Sequence, residues 1–431
     1  MDHENGSAAA LLEFIDRSPS PWHAGANILA RLREAGFQLL DEGAHWQLRP
    51  GADYVVSRGG SSVIAFRLGQ GDPTEAGIRV VGAHTDSPGF RVKPSGSTNR
   101  GGMASVGVEI YGGPIIASFA DRELTLAGRV MVETDDGLEE RLLHFSRPML
   151  RLPNLAIHMN RTVNDEGLKF VPPDELRFML EGCELDTVDQ GRLRAMIADH
   201  LDTPAESIQS WDLAVADTQQ GRFFGPDLEF IANGQLDNLA SCDAAIHALL
   251  AARPSRGVSM IACFDHEEVG SESYKGAAGS FLQDVISRVT ANAGSPQAMP
   301  RTCANSWLVS ADMAHAYHPG FAGYYDEENA ARLNGGPVIK INAKQRYTTD
   351  APAEAYFASL CDRAGVPCQR YVHRANLPCG STIGPMAAAR LGMRTVDVGN
   401  PMWSMHSARE SAGALDHGYM IRALTEFFAE V

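Results

Sequence analysis

The pair Glu267-Glu268 follows an apolar run at residues 258–264 and precedes Gly270. That run reads as a buried strand. Two adjacent carboxylates at its end concentrate negative charge at the edge of a core, which is costly unless protons or a metal neutralise it. Adjacent acids can also divide the work, one holding a metal and the other moving a proton. Other residues share this context. His84 and Asp86 follow an apolar run at 78–81, and Asp312 follows one at 307–310. His406 ends a loop after an apolar run at 395–398, and Asp237 stands in a Gly-containing loop just before a helical stretch. Imidazole and carboxylate without thiolate suit zinc, manganese or cobalt. The set His84, Asp237, Glu268, Asp312 and His406 can hold two divalent ions if one carboxylate bridges, and such a pair polarises a carbonyl and lowers the pKa of a shared water. Asp86, two residues from His84, is spaced to accept the free ring N–H of that histidine and fix its tautomer.

These residues need a scaffold that brings them together. Open parallel sheets build sites beyond the carboxyl ends of their strands. Residues 7–37 read as two helices broken at Ser18-Pro19-Ser20-Pro21, followed by strands at 54–56, 62–68 and 78–81. From about residue 94 glycines multiply and short alternating strands follow at 106–111, 124–132 and 212–215, with a polar helical stretch at 186–200. That texture is α+β, built on antiparallel sheet. After Gly234-Gln235-Leu236-Asp237-Asn238 the texture changes back, with a helix over about 238–252 and strands at 258–264, 307–310, 338–341 and 395–398. Strand–helix alternation implies a mainly parallel sheet covered by helices. The expected fold is therefore α/β, with a catalytic domain formed from residues 1–93 and 235–431 and an antiparallel α+β domain, 94–234, inserted into it.

Composition narrows the partners. The chain has 431 residues, 44% of them hydrophobic, and a net charge of −16. That charge argues against nucleic acid or an anionic membrane as partner. The start, Met1-Asp2-His3-Glu4-Asn5, has no basic n-region, and no apolar run is long enough for a membrane span. Seven cysteines without Cys-x-x-Cys spacing suit reduced thiols in the cytoplasm, with Cys242 and Cys263 filling the core. His266, His315, His318 and His373 read as caps or surface residues, or at most as groups standing behind the ligands.

Taken together, these residues resemble the aspartyl aminopeptidase family of zinc exopeptidases. The runs Ser18-Pro19-Ser20-Pro21-Trp22-His23, Ala83-His84-Thr85-Asp86-Ser87-Pro88 and Ala156-Ile157-His158-Met159-Asn160-Arg161 carry the likeness in the first half of the chain. Leu236-Asp237-Asn238-Leu239, Glu267-Glu268-Val269-Gly270-Ser271 and Ser310-Ala311-Asp312-Met313-Ala314-His315 follow in order. Lys344-Gln345-Arg346-Tyr347, Pro378-Cys379-Gly380-Ser381-Thr382 and Ser404-Met405-His406-Ser407-Ala408-Arg409-Glu410 complete it. The resemblance implies two zinc ions, for which cobalt or manganese can substitute. It implies His84, Glu268, Asp312 and His406 as terminal ligands, Asp237 as the bridging ligand, Glu267 as general base and Asp86 as the partner of His84. It implies that His158 reaches a neighbouring subunit's site and steadies the tetrahedral intermediate, although the sequence alone leaves a metal-ligand reading of His158 open. Lys344 matches a residue that faces the substrate carboxylate in members preferring acidic N-terminal side chains. The inserted domain is implied to form dimers, which assemble into a tetrahedral dodecamer. Lys275 and Asn376 depart from the family pattern, and both bear on pocket charge rather than on the ligands.

The expected function is removal of one residue, Asp or Glu by preference, from a peptide with a free N-terminus. The alternatives are the same chemistry with a neutral N-terminal preference, a related amidohydrolase or carboxypeptidase, and a non-catalytic metal-binding assembly protein. The long insertion between His84 and Asp237 favours an aminopeptidase over those relatives, in which the extra domain lies between the fourth and fifth ligands.

Overall fold

A computed structural model describes residues 2–184, 191–253 and 256–430. Its centre is set by strands too apolar to leave a face in water. Every residue of Val258–Phe264 and of Trp307–Ala311 is buried, as is all but one of Ile78–His84. Strands buried on both faces require a helical layer on each side. One layer comprises helices Pro21–Glu34, Leu236–Ala251, Ala351–Ala364 and Asp416–Ala429, whose Leu32, Leu249, Phe357 and Phe427 pack on Val81, Ile261 and Val309. The opposite layer comprises Phe281–Thr290, Ala298–Ala304 and Ile383–Leu391, whose Phe281, Cys303 and Ile383 meet Val80, Met260 and Leu308.

The resulting sheet has nine strands. At its centre Val258–Phe264, Ile78–His84, Trp307–Ala311 and Arg394–Gly399 run parallel. Its flanks are mixed. Asp53–Arg58 and Ser62–Leu68 pair antiparallel, because Gly59 and Gly60, both at positive φ, turn the chain back within residues 59–61, too few for a crossover helix. Ser62–Leu68 also runs against Val258–Phe264, and Val338–Ile341 runs against Arg394–Gly399. The chain break expected at Ser18–Pro21 is present: Ser20 caps the second helix by accepting the His23 N–H, with Pro21 at its first position, where a missing N–H costs nothing.

A second, six-stranded antiparallel sheet takes all its strands from Gly89–Asp217, and helix Arg192–Leu201 packs on it. The expected boundary at residue 94 falls inside strand Gly89–Arg100. Part of the helical stretch expected at 186–200 lies outside the described residues, and the helix that is described begins at Arg192. A third sheet, of five strands, had no counterpart in the sequence reading. It joins Arg222–Phe224 and Phe230–Asn233 to the short strands Ala314–His315, Pro401–Trp403 and Glu410–Gly413. Strands this short carry almost no periodic signal. All seven cysteines are free, with Cys242 and Cys263 fully buried. No helix among the described residues is long and apolar enough to cross a membrane.

Candidate active site

The parallel strands deliver their next residues to one edge. Ile78–His84 ends on His84 itself, paired with Phe264. Three residues beyond Phe264 the chain makes a short 3-10 turn, Glu267–Val269, entered through His266 at φ 65°. Trp307–Ala311 runs directly into Asp312, whose N–H donates to the Val398 carbonyl at 2.9 Å. Asp237 opens the helix Leu236–Ala251 with non-helical backbone, and the Asp237–Asn238 peptide is cis. Ser404 and His406 adopt left-handed backbone, as does Gln235 before Asp237. Non-glycine residues held there gather at functional loops, because the surrounding structure must impose them.

All six side chains expected to bind or work beside metal meet at this edge. His84 Nε2 lies 3.4 Å from Asp237 Oδ1, 3.6 Å from Asp312 Oδ1 and 3.9 Å from Glu267 Oε2. His406 Nε2 lies 3.4 Å from Asp237 Oδ2 and 3.5 Å from Glu268 Oε2. Donor atoms sharing a tetrahedral zinc at bond lengths of about 2.0–2.2 Å sit roughly 3.3–3.6 Å apart. Three groups therefore have ligand-like spacing: His84, Asp237 and Asp312; Asp237, Glu268 and His406; and His84, Glu267 and Glu268, and the first two leave Glu267 free for another role. The first two share Asp237, each of whose oxygens faces a different histidine. Asp237 Oδ1 is buried without a hydrogen-bond partner, a cost that a cation would relieve.

The electrostatics point the same way. Burial pushes the Glu267 carboxyl up to about 8, against the pull of His84, and Asp312, Asp86 and Asp237 push it further in the same direction. Burial and Asp237 likewise raise Glu268 well above the usual carboxylate range. Burial alone would lower the His84 imidazole, but the facing Asp237, Asp312 and Asp86 carboxylates reverse that and raise it strongly. His406 is raised against burial by Asp237 and Glu410. The protein by itself thus holds protons on this cluster, and a divalent ion binds by displacing them.

Supports surround the ligands. The Asp86 carboxylate accepts the Glu267 N–H at 3.1 Å, the Glu268 N–H at 3.2 Å and the Tyr111 hydroxyl at 2.7 Å. His84 Nδ1 lies 3.0 Å from the Asp86 main-chain oxygen and 3.5 Å from its carboxylate. The ring N–H of His84 is therefore held chiefly by the carbonyl, and the Asp86 carboxylate orients the Glu pair. His406 Nδ1 donates to the Gly113 carbonyl at 3.1 Å. Behind the Glu loop, Asp265 pairs with the buried Lys275 at 2.5 Å. Lys275, one of the two departures from the family pattern, thus stands behind the loop in a structural ion pair.

His158 and Lys344 are not brought to this cluster within one chain. His158 lies in an exposed turn and belongs to none of the metal-spaced groups among the described residues. Lys344 is exposed too, and among the described residues its ammonium makes no ion pair. The buried cation at the cluster is Lys340, four positions earlier. Its ammonium is 3.6 Å from Asp312 Oδ2, donates to the Met313 carbonyl at 3.1 Å and lies over the Tyr347 ring. A signal existed, since a lysine inside the apolar strand Val338–Ile341 needs a partner. His315 is half-buried near Lys340, the setting behind the ligands that the sequence left open for it, and burial pushes its imidazole down to about 4. His318 does cap the turn Pro319–Tyr324. Tyr111 and Glu410 were missed as supports of the site.

Comparison with known proteins agrees with this site. The family described as "Aminopeptidase I zinc metalloprotease (M18)" matches residues 14–428. A "Probable M18 family aminopeptidase 2" of Azotobacter vinelandii is 44% identical over 423 residues, 97% of each chain. One from Pseudomonas aeruginosa is 43% identical over the same share. Among solved structures, a chain of the Ape4 and Nbr1 complex superposes with a TM-score of 0.95 at 37% identity, covering 99% of this chain and 86% of that one. The S. cerevisiae mApe1 dodecamer gives 0.87 at 26% identity, covering 99% and 97%. The matched family is one of zinc metallopeptidases, and the imidazoles and carboxylates at these strand ends fit that class. The chain belongs to the M18 peptidase family and is a zinc-dependent aminopeptidase.

Proposed function

We propose that this aminopeptidase works with two zinc ions per subunit and removes an acidic N-terminal residue by preference. Asp237 carries the two-ion reading, since its oxygens face His84 and His406 separately, at 3.4 Å each. His84 and Asp312 would complete one set, and Glu268 and His406 the other. When bound, such ions polarise the scissile carbonyl and acidify a water between them, a role cobalt or manganese can also fill. Glu267 acts as general base: its Oε2 takes the proton of the attacking water and passes it to the leaving amine nitrogen. Asp86 holds the main chain of the Glu pair while this happens.

Acidic preference is supported by Lys340, a buried ammonium beside the ligand Asp312, rather than by the exposed Lys344 that the sequence suggested. The dodecameric mApe1 supports a homo-oligomer here as well. We propose dimers assembling into a tetrahedral dodecamer, with residues 94–234 as the dimerisation unit and 1–93 with 235–431 as the catalytic unit. Exposed Leu155, Ile157 and Met159 around His158 support burial of that turn against another subunit, where His158 would reach a second active site. Free thiols throughout support a cytoplasmic location.

The experiment that tests the reading compares peptides with free and acetylated N-termini. Cleavage of the free peptide alone, fastest with Asp or Glu first, is expected. Equal cleavage of the acetylated peptide would exclude an aminopeptidase, and a faster rate on Leu would remove the acidic preference.

A further inference from the structure

We propose that Glu410 is a positioning residue that clamps Asp237 to His406 and thereby sets how tightly the second ion is held. This inference rests on the two-ion reading above. Glu410 is 2% exposed, and among the described residues it makes no ion pair with a lysine or arginine. A buried carboxylate in that position must be satisfied by donors. Its two oxygens are divided between two main-chain groups: Oε2 accepts the Asp237 N–H at 3.1 Å, and Oε1 accepts the His406 N–H at 2.7 Å. Both donors belong to residues of the same metal-spaced group, Asp237, Glu268 and His406.

The clamp joins elements that nothing local would hold in register. Asp237 starts a helix, whereas His406 lies in a loop at positive φ. Glu410 begins the strand Glu410–Gly413, which pairs Glu410 with Asn233 on the segment leading to Asp237. The third sheet therefore fixes the distance between these two ligands. His84 and Asp312, by contrast, are fixed by the parallel strands of the nine-stranded sheet. The two sets are consequently held differently: His84 and Asp312 rest on strand ends, whereas Asp237 and His406 are joined through one carboxylate. Only a carboxylate of this length serves. Glutamine offers one acceptor oxygen and would turn its NH2 towards a main-chain donor, and aspartate is one methylene short of spanning both.

The test titrates the metal-free full-length protein with zinc, then with cobalt to follow ligand-field absorption, in wild type, Glu410→Gln and Glu410→Asp. Wild type should take up two ions. Both variants should bind the second ion about 10–100-fold more weakly, the range found when groups behind a ligand are removed, and the first by a smaller factor, because Asp237 serves both sets but His406 only the second. His406→Gln should lose the second ion. Two ions bound at wild-type affinity by Glu410→Gln would overturn the clamp. So would a lowered Tm of the metal-free protein with unchanged metal affinities, the mark of a purely structural role. Should Glu410→Gln fail to fold, Glu410→Asp decides by the same criterion. Uptake of a single ion by wild type would instead refute the two-ion reading, so the two failures are distinct.

Discussion

The nine-stranded and six-stranded sheets both reach the metal cluster, but they bring different things. The nine-stranded sheet brings three of the proposed ligands and the proposed base: His84 closes a strand, Asp312 follows one, and Glu267-Glu268 stand just past a third. The six-stranded sheet brings only support, through the end of strand Met103–Tyr111 and the two residues after it. The Tyr111 hydroxyl donates to Asp86, Gly113 receives the His406 ring N–H, and Gly112 leaves room for Glu268. A Cβ on Gly112 would lie 3.1 Å from that of Glu268, at a φ of +67°. The lesson is that a ligand can be recognised by its chemistry, whereas the group that orients it need have no chemistry of its own.

That contrast can be broken first at the ligand side. Glu267→Gln should lower kcat by about 10²–10⁴-fold with zinc content unchanged, measured by steady-state kinetics beside elemental analysis. Loss of zinc in this variant would make Glu267 a ligand instead. On the support side the effect should be smaller. Tyr111→Phe removes one donor from Asp86 and should cost about 10-fold in kcat/KM with the fold intact by circular dichroism. Burial and the negative charge of Asp86 raise the Tyr111 phenol, so it donates at every working pH. An unchanged rate in Tyr111→Phe would make the six-stranded sheet a bystander.

A third comparison sets two lysines against each other. Lys340→Met should reduce kcat/KM on Asp-first peptides by about 10-fold more than on Leu-first ones, roughly the worth of one buried charged contact. Lys344→Ala should change both equally little. The reverse pattern would return the pocket to Lys344.

The smallest effect lies away from the site. Burial, and secondarily His144, lowers the His23 imidazole to about 4. The unfolded chain, with an ordinary histidine, then binds the extra proton, so this term favours the fold above pH 6.5 and is lost as the pH falls from 6.5 towards 4. His23→Gln should flatten the fall in Tm across that window, and an unchanged slope would show that His23 has no part in acid lability.

Much of the cluster was legible in the sequence because its side chains follow apolar runs. Val80, Met260 and Val309 announce buried strands, and a histidine or acid just past such a strand has few bland reasons to be there. The strands at 62–68, 258–264 and 338–341 coincide with those observed for the same reason. What escaped was non-local. Tyr111 gains its role only because a second sheet folds back onto Asp86. Glu410 sits in a four-residue strand too short to announce itself. The antiparallel flank of the central sheet follows from the turn at Gly59-Gly60, a local signal overridden in the reading by the strand–helix alternation around it. Lys340, a charge inside an apolar strand, carries no motif of its own, and only its packing against Asp312 makes it a candidate beside Lys344.

The pairing of ions across Asp237 is tested most directly by anomalous diffraction at the zinc edge from crystals of the zinc-loaded enzyme. Two peaks about 3.5–4 Å apart are expected, one between His84 and Asp312 and the other between Glu268 and His406, with an Asp237 oxygen on each. A single peak, or peaks that leave either histidine without a metal, would contradict the account.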